Sequence, residues 1–141
     1  MRKKYNFDNG SYYACMYHVL WATHYKRPFL TEKMTDIIVS SVEARCQEVG
    51  MELVDLETNT NYVSAFISVP PSIDIHKAVK QIKMASSHAL AEAYPDLLSK
   101  VPNIWDGKCL YLTASETEMS YKDIEDFLAT RPTSQRKRGD A

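Results

Sequence analysis

The chain has 141 residues, 45% hydrophobic and 25% charged, a composition that fits one globular domain around a single core. Seventeen Lys and Arg against eighteen Asp and Glu leave a formal charge of -1, so the overall balance lends no support to a nucleic-acid binder. No apolar run approaches the roughly 18 residues of a membrane span, and no apolar core follows the basic start, so neither a span nor a signal peptide is expected and a cytoplasmic location is.

Residues 12–23, YYACMYHVLWAT, combine aromatic and β-branched side chains and predict one long strand, with Tyr13, Cys15, Tyr17, Val19 and Trp21 on a shared face. A polar turn over His24 to Pro28 follows. Thr31 is a helix cap for 32–49, where Met34, Ile38, Val42, Cys46 and Val49 recur at helical spacing and Gly50 supplies the stop. Residues 51–57 and 62–69 predict two strands joined by a Thr-Asn-Thr-Asn turn, the second closed by Pro70 and Pro71. Asp74 caps a helix over 75–93 with an apolar stripe of Ile75, Val79, Ile82, Ala89 or Leu90, and Ala93. Lys77, Lys80 and Lys83 ride on another face. A short link after Pro95 leads to a strand over 104–114, and Ser120 with Asp123 opens a last helix that ends before Pro132.

The resulting βαββαβ order predicts an α+β, ferredoxin-like antiparallel sheet with both helices on one face and an extra C-terminal helix. One domain spans 1–131, and 132–141 is a basic tail expected to be disordered. This architecture hosts enzymes, RNA binders and ligand sensors alike, so function has to come from particular residues.

Charge and cysteines narrow the field. Segments 1–27, 28–76, 77–108, 109–130 and 131–141 carry +4, -6, +2, -4 and +3, so a near-neutral total hides two basic ends and a basic middle. Cys15, Cys46 and Cys109 are odd in number, widely spaced and set in apolar runs, which suggests buried free thiols rather than a disulfide framework or a metal site.

Five stretches taken in order carry a family resemblance: Tyr17-His18-Val19-Leu20-Trp21; Tyr25-Lys26-Arg27-Pro28-Phe29-Leu30; Ser68-Val69-Pro70-Pro71-Ser72-Ile73; Lys83-Met84-Ala85-Ser86-Ser87; and Ile104-Trp105 leading to Tyr111-Leu112-Thr113. Over about residues 12–131 the chain resembles the single-tyrosine HUH transposases of the insertion-sequence 200/605 family. The resemblance implies a ferredoxin-like sheet, a homodimer in which two sheets join, and binding of imperfect DNA hairpins. It also implies a His-x-His pair holding Mg²⁺ or Mn²⁺ at a scissile phosphate. A tyrosine on the last helix would attack that phosphate, and a Gln one turn beyond would complete the metal site.

Carried onto this chain, the two histidine positions fall on Tyr62 and Ser64, the nucleophile position on Phe127 and the third ligand position on Arg131. All four are substituted. Phe127 keeps a ring but has no oxygen to attack phosphorus. Tyr62 and Ser64 offer weak neutral oxygens in place of imidazoles, and Arg131 would repel a cation while suiting a phosphate directly. No metal and no intact catalytic residue is therefore expected. Tyr121 precedes Phe127 by six residues, a rotation of about 240°, and so points elsewhere on the helix.

The candidate nucleic-acid contacts are Lys26, Arg27, His76, Lys80, Lys83 and Arg131. His76 and Lys80 at i, i+4 suit a phosphate, although a solvated helix face explains them equally well, as a polar turn explains Tyr25 to Arg27. Tyr12, Tyr13, Tyr17 and Trp21 read more simply as core or dimer interface than as base-stacking surface. The expectation is a catalytically inactive, homodimeric relative of these transposases that retains hairpin DNA or RNA binding. The alternatives are a regulatory module without nucleic acid, and an active transposase using Tyr62 or Tyr121.

Overall fold

In the computed structural model, residues 5–101, 103–115 and 118–131 are described. The tail 132–141, read above as disordered, lies outside them. In chain order come strands β1 (Asn6–Asp8), β2 (Ser11–Tyr13) and β3 (Met16–Thr23), helix α1 (Glu32–Val49), strands β4 (Glu52–Thr58) and β5 (Tyr62–Ser68), helices α2 (Ile75–Ala93) and α3 (Leu97–Lys100), strand β6 (Trp105–Ala114) and helix α4 (Tyr121–Leu128). Within the span read as one domain, the chain groups into two compact units. One is Cys15–Ala114; the other joins the chain before Cys15 to the chain after Ala114.

The larger unit is built as the caps and periodicities dictate. Thr31 accepts the Met34 amide to start α1, and Gly50 closes it at φ 84°, a left-handed conformation that glycine adopts without a Cβ penalty. Asp74 likewise accepts the His76 amide at the start of α2. The four strands pair antiparallel in the order β4-β5-β3-β6, the ferredoxin-like arrangement expected. On β3, Val19, Trp21 and Thr23 are buried and His18 and Leu20 exposed; on β5, Val63, Ala65 and Ile67 are buried. That period of two gives the sheet one apolar face, against which Ile38 and Val42 of α1 and Val79, Ile82 and Leu90 of α2 complete the core. Each such fully buried side chain contributes about 1.5–3 kcal/mol of transfer free energy.

Three expectations need correction. The strand over 12–23 is two strands in two units: β2 pairs with β1, while β3 lies centrally between β5 and β6. Tyr13 therefore belongs to β2, and Cys15 lies before the start of β3. The buried stripe of α2 runs through Ala78, Val79, Ile82, Ala85, Ser86 and Leu90, with Ile75 and Ala89 half-buried and Ala93 exposed, because the helix seats its last turns by Leu90. Cys46 is a buried thiol, but Cys15 and Cys109 are partly exposed: Cys15 precedes β3, and Cys109 packs only on the margin of the core; all three are free.

In the smaller unit, Asn9 and Gly10, at φ 50° and 81°, make a two-residue turn with Asp8 opposite Ser11. Helix α4 opens with a full capping box: the Asp123 amide donates to Ser120 Oγ at 3.1 Å, and the Ser120 amide donates to Asp123 Oδ2 at 2.8 Å. Asp123 is buried, and the Tyr5 hydroxyl donates to its Oδ2 at 3.1 Å.

Candidate nucleic-acid interface

The two positions that the resemblance assigns to metal-binding histidines stand at the start of β5. Tyr62 pairs with Ala22 of β3, and Ser64 is flanked by Leu20 of β3 and Glu57 of β4. Their buried neighbours Val63 and Ala65 point toward the helices, so Tyr62 and Ser64 lie on the opposite face of the sheet. The pleat thus still presents residues 62 and 64 side by side, where a His-x-His pair would be presented.

A cleft of about 690 Å³ opens there, lined by Leu20, Asn61, Tyr62, Ser64 and Leu110 and by four charged residues, Lys26, Lys108, Glu57 and Asp106. Two phenolic or alcoholic oxygens beside two carboxylates that two ammonium groups offset in charge do not fit a divalent cation, which wants several anionic or imidazole donors converging on one point. Among the described residues no three His, Cys, Asp or Glu side chains come together in a way that could hold a metal ion. His18, on the same face, stacks on Phe66 with ring centroids 4.5 Å apart, a contact that turns its imidazole to packing.

The candidate basic residues separate into two places. Lys26 lines the cleft just described, and Arg27 is exposed on the adjoining turn. His76, Lys80 and Lys83 line a second cleft of about 420 Å³ between α2 and the start of β6, floored by Ile104 and Trp105. Lys83 differs from its neighbours. Its ammonium donates to the backbone carbonyl of Asp106 at 2.9 Å and reaches that of Lys108 at 3.5 Å, while the Trp105 indole donates to the Lys83 carbonyl and to Ser86 Oγ, both at 3.1 Å. Lys83 therefore fastens α2 to β6, a role that its place in a helical row of lysines did not reveal. Lys108, Asn61 and Glu57 were missed as cleft residues because they come together only through the β4-β5-β3-β6 order.

Phe127 and Arg131 belong to the smaller unit. Phe127 keeps a packing role, its ring meeting Tyr12 of β2 edge-on at 6.4 Å, and Tyr12 in turn packs on Phe7 at 4.8 Å. Arg131 is exposed just beyond α4. Tyr121 is 81% exposed on the first turn, a rotation away from Phe127 as its spacing predicts.

The larger unit is an antiparallel ferredoxin-like sheet whose proline-closed strand bears residues 62 and 64, and the smaller unit holds the capped helix that bears residue 127. The chain belongs to the family described as Transposase IS200 like, which it matches over residues 11–128. It is 28% identical over 109 residues to the ISDra2 transposase TnpA of Deinococcus radiodurans, covering 76% of this chain and 78% of that one. It is 22% identical over 89 residues to the transposase for insertion sequence element IS200 of Salmonella typhimurium, covering 63% of this chain and 59% of the relative. Among solved structures it is similar to a protein assigned as a transposase from Deinococcus radiodurans R1, with a TM-score of 0.70 and 27% identity over 87% of this chain and 95% of that one. The fold is also that of a REP-associated tyrosine transposase solved bound to a REP hairpin, with a TM-score of 0.55 and 13% identity over 80% of this chain and 61% of that one. No helix among the described residues is long and apolar enough to cross a membrane.

Proposed function

We propose that this chain is a nucleic-acid-binding member of the IS200-like transposase family without the family's strand-cutting chemistry, acting as a homodimer on hairpin DNA. The carrying observation is the residue chemistry at four positions: Tyr62 and Ser64 on the sheet, Phe127 on α4 and Arg131 beyond it. None supplies a metal-binding nitrogen, and the residue at the nucleophile position has no hydroxyl.

Three further features support binding. Lys26 and Arg27 are exposed on the turn after β3, and His76 and Lys80 line the cleft beside α2, giving separate contacts for a polyanion. A protein of the same fold was solved with a REP hairpin, which favours a folded-back strand as the ligand class. Strand β6 is an edge of the sheet, and Leu110 and Leu112 on it are 64% and 63% exposed, a surface suited to joining a second copy.

The test incubates the protein with a labelled DNA hairpin and Mn²⁺, then resolves it on a denaturing gel beside a native binding assay. Binding without a covalent adduct is the expected result. A covalent adduct overturns the loss of chemistry, and no salt-sensitive binding favours a regulatory module that has left nucleic acid behind.

A further inference from the structure

The turn after β3 carries an aromatic ring outside the core. Tyr25 is 75% exposed, and both Tyr25 and Lys26 sit at a φ of 56°, in the left-handed region that non-glycine residues avoid. Two such residues in succession persist only where their surroundings impose the conformation. The surroundings here do so. The Thr23 hydroxyl, fully buried, donates to the Arg27 carbonyl at 2.8 Å, the Asn61 amide group donates to the Lys26 carbonyl at 3.4 Å, and the Arg27 amide donates to the His24 carbonyl at 3.3 Å.

These bonds fix the backbone of the turn, from which the exposed Tyr25 ring projects beside the His24 ring at 4.2 Å between centroids, with the Arg27 guanidinium over it at 5.8 Å from its centroid. Lys26 leads from the same turn into the cleft of Asn61, Tyr62, Ser64 and Lys108. In that cleft Lys26 and Lys108 face Glu57 and Asp106, so net charge there is balanced and a polyanion gains little from it alone. An exposed ring on a fixed turn, followed directly in the chain by two cations, Lys26 and Arg27, meets the two needs of an unpaired nucleotide, a surface for the base and charges for the adjoining phosphates.

We infer that Tyr25 is a stacking platform for an unpaired base of single-stranded nucleic acid, with Lys26 and Arg27 on the flanking phosphates. The inference rests on the nucleic-acid reading above and deepens it by assigning the contact to an unpaired base to Tyr25, without a metal.

The experiment measures fluorescence anisotropy with three labelled probes: a blunt DNA hairpin, the same hairpin with an unpaired thymidine flank, and that hairpin with a uridine RNA flank. The wild-type chain is expected to bind the flanked hairpins more tightly than the blunt one in EDTA. Tyr25→Ala should weaken flanked binding by about 5-fold to about 100-fold, the range for loss of one base–aromatic stack, and leave the blunt hairpin unchanged. Tyr25→Phe, which keeps the ring, should retain the flank preference. Replacing Lys26 and Arg27 with Gln should reduce the log-log salt slope for the flanked probe by roughly 0.7 per lost phosphate contact. A preference for one of the two flanks identifies the strand as DNA or RNA. Should Tyr25→Ala bind the flanked hairpin as tightly as wild type, the platform is overturned and hairpin binding stands. Should wild type bind none of the probes, the nucleic-acid reading itself falls.

Discussion

Ser64 on β5 stands directly across the ladder from Glu57 on β4, on the sheet face opposite α1 and α2. A carboxylate next to a serine in this position lacks the imidazole donors that would make it a metal site. Changing Tyr62→His and Ser64→His together would add two imidazoles on one face, two residues apart along a strand and adjacent to Glu57. The double variant is expected to bind Mn²⁺ in the micromolar to millimolar range and the wild type not to, as read by loss of the free-ion electron paramagnetic resonance signal. Equal uptake by wild type would mean that its present donors suffice after all.

Lys83 and Lys80 belong to the same helix but should respond differently to removal. Lys83→Met deletes the hydrogen bonds from its ammonium to the Asp106 and Lys108 carbonyls, and about 1 kcal/mol of stability should go with them. Lys80→Met, at an exposed position, should leave stability within about 0.5 kcal/mol and instead lower hairpin affinity and its salt dependence. Urea denaturation together with binding at two salt concentrations separates the two effects; a salt-slope change for Lys83→Met as large as that for Lys80→Met would contradict this division.

The Cys46 thiol is pushed from an ordinary 9.0 up to about 11, first by burial in the core and then by the nearby Glu43 carboxylate. In the unfolded chain the thiol ionises at its ordinary value, so between about pH 9 and 11 the folded state holds the extra proton. Stability should therefore fall as pH rises through that window, by up to about 2–3 kcal/mol from this group. Comparing denaturation midpoints of wild type and Cys46→Ala from pH 8 to 11 checks it: the wild-type curve should drop more steeply. At pH 8 a thiol reagent should label Cys15 and Cys109 and spare Cys46, since the thiolate is the reacting form and Cys46 is also buried.

Tyr25→Gly offers a stability readout for the strained turn. Glycine accepts the left-handed φ of 56° without a Cβ clash, a relief of about 1–2 kcal/mol that its greater unfolded-state freedom partly offsets. Thermal unfolding should show the variant unchanged or stabilised by up to about 1 kcal/mol. A clear loss of stability would mean that the ring's contacts with His24 and Arg27 matter more to the fold than its conformation costs.

Much of this molecule was legible along the chain. Thr31 with Gly50, Asp74, and Ser120 with Asp123 mark helix ends through local hydrogen bonds, and the bounds 32–49 and 75–93 coincide with those observed. One local signal was passed over: Asn9-Gly10, a strong hairpin turn, diverts Ser11–Tyr13 into its own small sheet and cuts the long strand in two. The aromatic run through residues 12–23 concealed the cut, because residues suited to either strand continue across it. The site was only partly legible. Residues 62 and 64 follow from counting back along one strand, but Lys108 and Glu57 join them from strands distant in sequence.

By itself the sequence determined the helices and the ferredoxin-like order, because caps and periodicity act over a few residues. Tertiary structure alone decided that Lys83 braces a strand, that Lys26 and Lys108 share a cleft with Glu57 and Asp106, and that Tyr25 is exposed on a strained turn. Each of those depends on strand order and on hydrogen bonds between residues far apart in sequence, such as Asn61 to Lys26, and the spacing of residues along the chain carries no trace of such pairings.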